Sequence, residues 1–456
     1  MLTAPCLRHG LNGTLNSFPR LTGAPQVLLT RRSCSGAPRP PSTAIYPGRV
    51  RYQPRTSGPP GRRIPMAPSQ SQTRGLSSAS SPRPKSEKER PSMAEARPSS
   101  SIILLSPTNQ VLLLHRVQTS SSFPSAHVFP GGNLSSFHEP PPPPADSPDR
   151  HRDSPAYRLA AVRETFEESG ILIAKRSPAD DNLLVVPEAE REEARRAVHG
   201  DRVRFTEWAE QTLGAALCVD DLVPFTRWVT PPNMPKRFTT QMYIYFMPLA
   251  ESPPLRTPSA GGGGGPVDVD VDVVQTPTPD GGVEHTAATF ADASEWLRRQ
   301  RRGEIVLFPP QCYLLSLVAE VFASVSPESV GNDPEARYAA QRRALVEFVR
   351  RMPTTTAASP AAEGAKGPHP SALIPWSEKV MSPHTLFIRD SDDRIVLGID
   401  KPGPELKGSG AGGDFERVVL VKFAKGGPQD VEVRGREEVL REEKALKEKA
   451  REAGKL

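Results

Sequence analysis

Three carboxylates, Glu164, Glu167 and Glu168, lie within residues 158–172, which read RLAAVRETFEESGIL. Their spacing of i, i+3 and i+4 puts all three on one face of an α-helix that ends at Gly170. Like charges that close repel one another. Two readings follow from the spacing alone: an acidic face kept in solvent, or a set of hard oxygen ligands for Mg²⁺ or Mn²⁺ beside a phosphate-bearing substrate.

The second reading needs a backbone loop that comes close to the carboxylates. Gly131-Gly132 supplies one, because without Cβ atoms the backbone there can approach metal or phosphate. Residues 126–129 read as a strand leading into these glycines. Before it, the apolar runs 102–105 and 111–114 flank Ser106-Pro-Thr-Asn-Gln110, the pattern of a β-hairpin. After the carboxylates, residues 187–214 are charged and helical in pattern, with Phe205, Trp208 and Leu213 as the apolar side, and are expected to shape a pocket. Residues 222–230 and 238–247 read as strands. The second, FTTQMYIYFM, has the β-propensity and scarcity of charge of a central strand.

Residues 163–171, R-E-T-F-E-E-S-G-I, resemble the second half of the Nudix box, R-E-U-x-E-E-x-G-U with U a bulky apolar residue. Phe129-Pro130-Gly131-Gly132 resembles the glycine loop that opens that box. Gly132 and Arg163 are 31 residues apart, against 14 in the usual box, so 17 residues are inserted. The insert holds His138-Glu139, five consecutive prolines from Pro140 to Pro144, and Asp146-Ser-Pro-Asp149, and reads as a solvated polyproline-type excursion. Such a loop is tolerated because closure entropy grows slowly with length. The glutamate that normally stands six residues after the glycine is replaced by His138 counted from the front, and by Pro155 counted from the back. The run E-H-T-A-A-T-F-A-D-A-S-E-W-L from Glu284, followed by R-R-G-E-I-V-L-F-P-P-Q, is similar to the last strand, helix and turn of a Nudix branch that contains the peroxisomal coenzyme A diphosphatase. Trp228-Val-Thr-Pro231 and Lys236-Arg-Phe-Thr239 fit that branch, as does the long spacer.

The resemblance implies an α/β fold, the Nudix α/β/α sandwich with a mixed β-sheet, carrying helical and Pro/Gly-rich insertions and a C-terminal β extension. It implies that Glu164, Glu167 and Glu168 ligate Mg²⁺ or Mn²⁺, with the Gly132 carbonyl completing the shell. Arg163 would orient a glutamate through a charge-assisted hydrogen bond, so the catalytic set is Glu164, Glu167 and Arg163. Gly131, Arg116 and Arg237 are placed against the substrate phosphates. Glu284 is a further carboxylate at the site or a strand-end surface residue. The implied activity is hydrolysis of a pyrophosphate bond in a nucleoside diphosphate derivative. Coenzyme A or acyl-coenzyme A is the first expectation, because Leu112-Leu113 and Arg116 fall at the distances from Phe129–Gly132 found in coenzyme A enzymes of the superfamily. The inner positions Val117, Ser121 and Ser125 depart from that pattern. NADH or another dinucleotide is the alternative substrate, and a nucleotide- or protein-binding module the alternative function.

At 456 residues, with 52 prolines and 34 glycines, much of the chain is expected to be linker. Residues 1–86 hold 13 of the 58 Arg/Lys and no Asp or Glu, so the net charge of +6 belongs to this leader and the remaining chain is net acidic. No nucleic-acid partner is read from it. Cys218 and Cys312 stand alone without metal-ligand spacing, as buried thiols of a reducing compartment do. No apolar run reaches the ~18 residues of a membrane span. Three regions are expected: a basic leader 1–92, a Nudix domain 93–325 with a box insertion 133–155 and a flexible acidic loop 251–283, and a C-terminal extension 326–456. The leader, with Leu7, Leu11, Leu15 and Phe18 at helical intervals, has the composition of a mitochondrial transit peptide, which points to the matrix. The terminal Gly-Lys-Leu is one residue from a Ser-Lys-Leu peroxisomal address, the alternative location. Oligomeric state is not legible.

Overall fold

The computed structural model describes residues 93–117, 125–249, 275–280, 284–326, 328, 331–355 and 369–453. The leader, the acidic Val/Asp run 267–272 and the terminal Gly-Lys-Leu lie outside the described residues.

Successive side chains on a strand point to opposite faces, and β1 (Ala96–Leu105) is apolar on both. Ile102 and Leu104 enter one core, Ile103 and Leu105 another. A strand of this kind belongs inside a sheet covered on both sides. β2 (Val111–Arg116) turns back antiparallel from β1 across the Ser106–Gln110 turn. β3 (His127–Val128) pairs with β2, and β4 (Gly131–Asn133) pairs with the first half of β1. The ribbon of β5 (Ala174–Lys175) and β6 (Ala216–Leu217) stands apart. β7 (Val223–Val229) lies antiparallel to β8 (Arg237–Phe246), and β8 runs parallel to the whole of β1, the central position its sequence predicts. With β9 (His285–Ala291) beside β2 and β10 (Val380–Met381) beside β7, this is an eight-stranded mixed sheet.

Helix α1 (Pro155–Ser169) covers one face. Proline opens it where no backbone N–H is needed, and Gly170 closes it in the left-handed conformation at φ 73°. Tyr157, Ala161, Val162 and Phe166 bury against Ile102, Leu104, Leu112 and Leu114. Phe166 also stacks on Trp208 at 4.9 Å and Phe205 at 5.5 Å. Those two rings come from α3 (Phe205–Glu207) and the π turn Trp208–Thr212 that continues it, after α2 (Glu188–His199). The helical insertion is thereby part of the core.

On the other face, α4 (Ala293–Arg301), α5 (Pro309–Ala323) and α6 (Pro334–Arg350) pack against Ile103, Leu105, Val111 and Leu113. The C-terminal region adds a second sheet of β11 (His384–Ile388), β12 (Ile395–Ile399), β13 (Asp414–Ala424) and β14 (Gly427–Gly435). Ile399, Val419, Val421 and Val431 face the core that holds α5, while Val396, Val418 and Leu420 face Val439 of α7 (Arg436–Ala453). The same two-residue alternation that builds the first sheet thus adds two more layers.

The box insertion is solvated only in its middle. Pro140, Pro141 and Pro144 are exposed, but His138, Glu139 and His151 at its two ends are buried. Likewise the acidic loop is not free throughout. Gln275 bonds Leu172 with both ends of its amide, at 2.7 and 3.0 Å, and the Thr278 N–H donates to the Ser169 carbonyl. Residues 275–280 are therefore clasped to the end of α1, which brings Asp280 to the site.

Candidate active site

β4 delivers Gly131 and Gly132 to the carboxylate edge of α1. The Gly131 N–H donates to Glu168 Oε2 at 2.7 Å. A Cβ at Gly131 would collide with the Ser100 carbonyl of β1, and one at Gly132 would lie 2.5 Å from the Glu164 carboxylate. Gly131 is required by the close approach of backbone to backbone, whereas a side chain at Gly132 would displace the Glu164 carboxylate.

Arg163 organises the cluster from beneath. Its guanidinium, 5 % exposed, donates to Glu139 Oε1 at 2.7 Å, Glu167 Oε1 at 2.7 Å and the Asn133 carbonyl at 3.0 Å, and lies 3.0 Å from Glu164 Oε1. Glu139, fully buried, also accepts the Ser135 N–H and so ties the start of the insertion to the helix. The carboxylate that pairs with the box arginine is thus present, seven residues after Gly132. The reading that His138 or Pro155 had replaced it is corrected. His138 instead turns away to accept the Phe205 N–H and meet the Val198 carbonyl.

The three helix carboxylates are electrostatically distinct. Burial raises Glu164 to about 7 against the pull of Arg163. Burial and the Glu164 charge lift Glu168 well above the carboxylate range, opposed by the Gly131 N–H. Burial also acts on Glu167, but bonds from His199 and Arg163 overcome it and hold Glu167 low. Its partner His199, 3.0 Å away, is raised by that bond. Clustered carboxylates held against desolvation and mutual repulsion are a donor set that fits a hard divalent cation.

A cleft of about 840 Å³ opens over this cluster, lined among others by Arg116, Arg163, Arg195, Arg196 and His199. Arg116 reaches Glu284 Oε2 at 3.2 Å, so both sequence-selected residues stand at the rim. Arg237 does not. Its buried guanidinium donates to the carbonyls of Ala94, Thr230 and Pro231 and pairs with Glu405 at 2.5 Å, a partner supplied by the C-terminal region. The assignment of Arg237 to substrate phosphates is corrected to a structural one. Sequence reasoning also missed Arg195, which donates to the Glu167 carbonyl at 2.8 and 3.1 Å, and His285, buried beside Glu168. Neither carries a local signal, since both depend on contacts across the fold.

The family model described as the NUDT19 Nudix domain matches residues 145–260, which contain α1 and its carboxylates. The acyl-coenzyme A diphosphatase NUDT19 of Gallus gallus is 27 % identical over 363 residues, covering 68 % of this chain and 82 % of that protein. The resemblance of residues 163–171 to the Nudix box is thus matched by a Nudix family model over 145–260. The Caenorhabditis elegans protein named nudix hydrolase 7 is 33 % identical over 152 residues, 32 % of this chain, and the match spans less than half of that relative, 43 % of its length. Among solved structures, a Nudix hydrolase of Alicyclobacillus acidocaldarius covers 49 % of this chain and 91 % of its own at 24 % identity and a TM-score of 0.36. In this chain the mixed sheet, the carboxylate helix and the glycine strand form one connected unit. No helix among the described residues is long and apolar enough to cross a membrane.

Proposed function

We propose that this Nudix protein hydrolyses the pyrophosphate bond of coenzyme A or an acyl-coenzyme A, giving 3′,5′-ADP and (acyl-)phosphopantetheine. The observation that carries the proposal is the convergence of Glu164, Glu167 and Glu168 on Gly131-Gly132 at the floor of a cleft whose walls present Arg116, Arg196 and His199. A pyrophosphate is a polyanion, so its binding calls for those cations. Its hydrolysis calls for a means of activating water. The three carboxylates would hold Mg²⁺ or Mn²⁺, which when bound neutralises the phosphates and acidifies water. In the reaction a water oxygen bonds to phosphorus, the bridging P–O bond breaks, and a carboxylate of the helix accepts the proton. Arg163 keeps Glu167 and Glu164 in place, while the Gly131 N–H fixes Glu168.

The choice of coenzyme A is supported by the spacing of Leu112, Leu113 and Arg116 from the glycine loop and by the name of the Gallus gallus relative. Product analysis with the full chain, Mg²⁺ or Mn²⁺, and a panel of coenzyme A, acyl-coenzyme A, NADH and ADP-ribose tests it. Release of 3′,5′-ADP from coenzyme A at the highest kcat/KM is the expected result. Preference for NADH would move the substrate to the dinucleotides, and binding without turnover would make the chain a recognition module. The basic leader is proposed to direct the chain to the mitochondrial matrix. Tagged full-length protein found in peroxisomes would instead favour the terminal Gly-Lys-Leu.

A further inference from the structure

His285 at the start of β9 is fully buried, yet among the described residues neither ring nitrogen has a hydrogen-bond partner. Burying an imidazole unsatisfied is costly unless something completes it. On one side, Nδ1 stands 3.5 Å from Asp280 Oδ2. On the other, Nε2 stands 3.7 Å from Glu168 Oε1. Asp280 is itself fixed: its carboxylate accepts the backbone N–H of Glu284 at 2.8 Å and of His285 at 3.1 Å. Held by these two N–H groups, the carboxylate faces Nδ1 as an acceptor. An acceptor on that side favours the tautomer with the proton on Nδ1. The lone pair of Nε2 then faces Glu168 Oε1 across 3.7 Å, too far for a hydrogen bond. A cation held between the two would satisfy both atoms. The Glu284 carboxylate supplies a third donor: ligand atoms of Glu168, Glu284 and His285 lie within 4.8 Å of one another.

We propose that His285, Glu284 and Glu168 form a nitrogen-containing divalent cation site adjoining the carboxylate helix, with Asp280 as the positioning residue that orients His285. The site shares Glu168 with the cluster described above, and this inference rests on the proposed cation-binding role of that cluster. An imidazole ligand favours Mn²⁺ and its later neighbours over Mg²⁺, which prefers oxygen. The carboxylate–imidazole–metal arrangement also accounts for Asp280, whose counterpart at other metal sites changes affinity by about 10- to 100-fold. Glu284 is half exposed and pairs with Arg116 at the rim, with a carboxylate oxygen already within reach of the other two ligand atoms.

The test is pulsed electron paramagnetic resonance of the full chain loaded with Mn²⁺, which reads ¹⁴N coupling from a ligating imidazole, beside Mn²⁺ and Mg²⁺ titrations. His199 also lies near the cluster, so His199→Gln is measured with His285→Gln. The expected result is coupling in the wild type and in His199→Gln, its loss in His285→Gln with Mn²⁺ still bound, and a roughly tenfold weaker Mn²⁺ affinity in Asp280→Asn. The Mn²⁺ preference over Mg²⁺ should narrow in His285→Gln. If Mn²⁺ binds the wild type without nitrogen coupling, or if coupling survives in His285→Gln, the inference is overturned while the carboxylate site stands. If no cation binds at all, the reading of the carboxylate cluster falls with it. Should His285→Gln fail to fold, coupling that persists in His199→Gln supports the inference and its absence there overturns it.

Discussion

Gly132 and Glu164 meet so closely that a Cβ on residue 132 would stand 2.5 Å from the Glu164 carboxylate. Gly132→Ala must therefore push Glu164 out of place while leaving the buried core of α1 untouched. The expected loss in kcat/KM is on the order of 10²-fold, the usual cost of displacing a reacting group by about 1 Å. Thermal unfolding should change little. An active Gly132→Ala protein would show that Glu164 has freedom the packing denies it.

The buried pair of Glu139 and Arg163 makes a second prediction. Glu139→Ala leaves a guanidinium short of a partner in an enclosed site, at a cost of about 3 kcal/mol. Glu139→Gln keeps an acceptor and should lose less. Denaturant unfolding of the two variants measures this. Equal stability of Glu139→Ala and wild type would detach Glu139 from the box arginine.

Much of this architecture can be read in the chain, and what cannot has physical causes. The helix, its Gly170 cap and the central strand follow from periodicity and propensity, which are local. Glu139 was hidden because the insertion lets the carboxylate slide one place from its usual position, and only the fold shows which acid reaches Arg163. Arg237, after a loop and beside Lys236, has the local look of a phosphate ligand. Its true partner Glu405 is remote in sequence and arrives with the C-terminal sheet. His285 follows Glu284 with no spacing signal, and it is the clasp of 275–280 on Leu172 that brings Asp280 to it.

The two arginines assigned to phosphate should separate cleanly. Arg116→Ala is expected to raise KM about tenfold with stability nearly unchanged, since removing one charge-assisted contact costs roughly 1.5 kcal/mol. Arg237→Met should do the reverse, destabilising the fold and leaving KM alone. Steady-state kinetics with parallel melts decides. A raised KM in folded Arg237→Met would return that residue to the substrate.

Acid should weaken the insertion through His151. Burial, then Arg227, Arg150 and Arg237, hold it down at about 4, with Glu405 pulling the other way. Among the described residues its ring shares a hydrogen bond with Thr239 Oγ1, 2.9 Å away. With the folded value below the unfolded 6.5, the unfolded chain binds more protons as pH falls between the two, so stability is lost from about 6.5 down to about 4. The loss is at most about 3 kcal/mol. His151→Gln should flatten the stability curve over that window. An unchanged curve would place the acid sensitivity elsewhere.

In the proposed reaction the carboxylate edge of α1 works with a divalent cation to hydrolyse a pyrophosphate. The most direct measurement is cation-dependent turnover of coenzyme A by wild type and by Glu168→Gln, the carboxylate gripped by Gly131, with unfolding curves to show both are folded. Turnover is expected to require Mg²⁺ or Mn²⁺ and to fall by at least about 10²-fold in Glu168→Gln. Turnover that survives chelation, or a folded Glu168→Gln as fast as wild type, would contradict it.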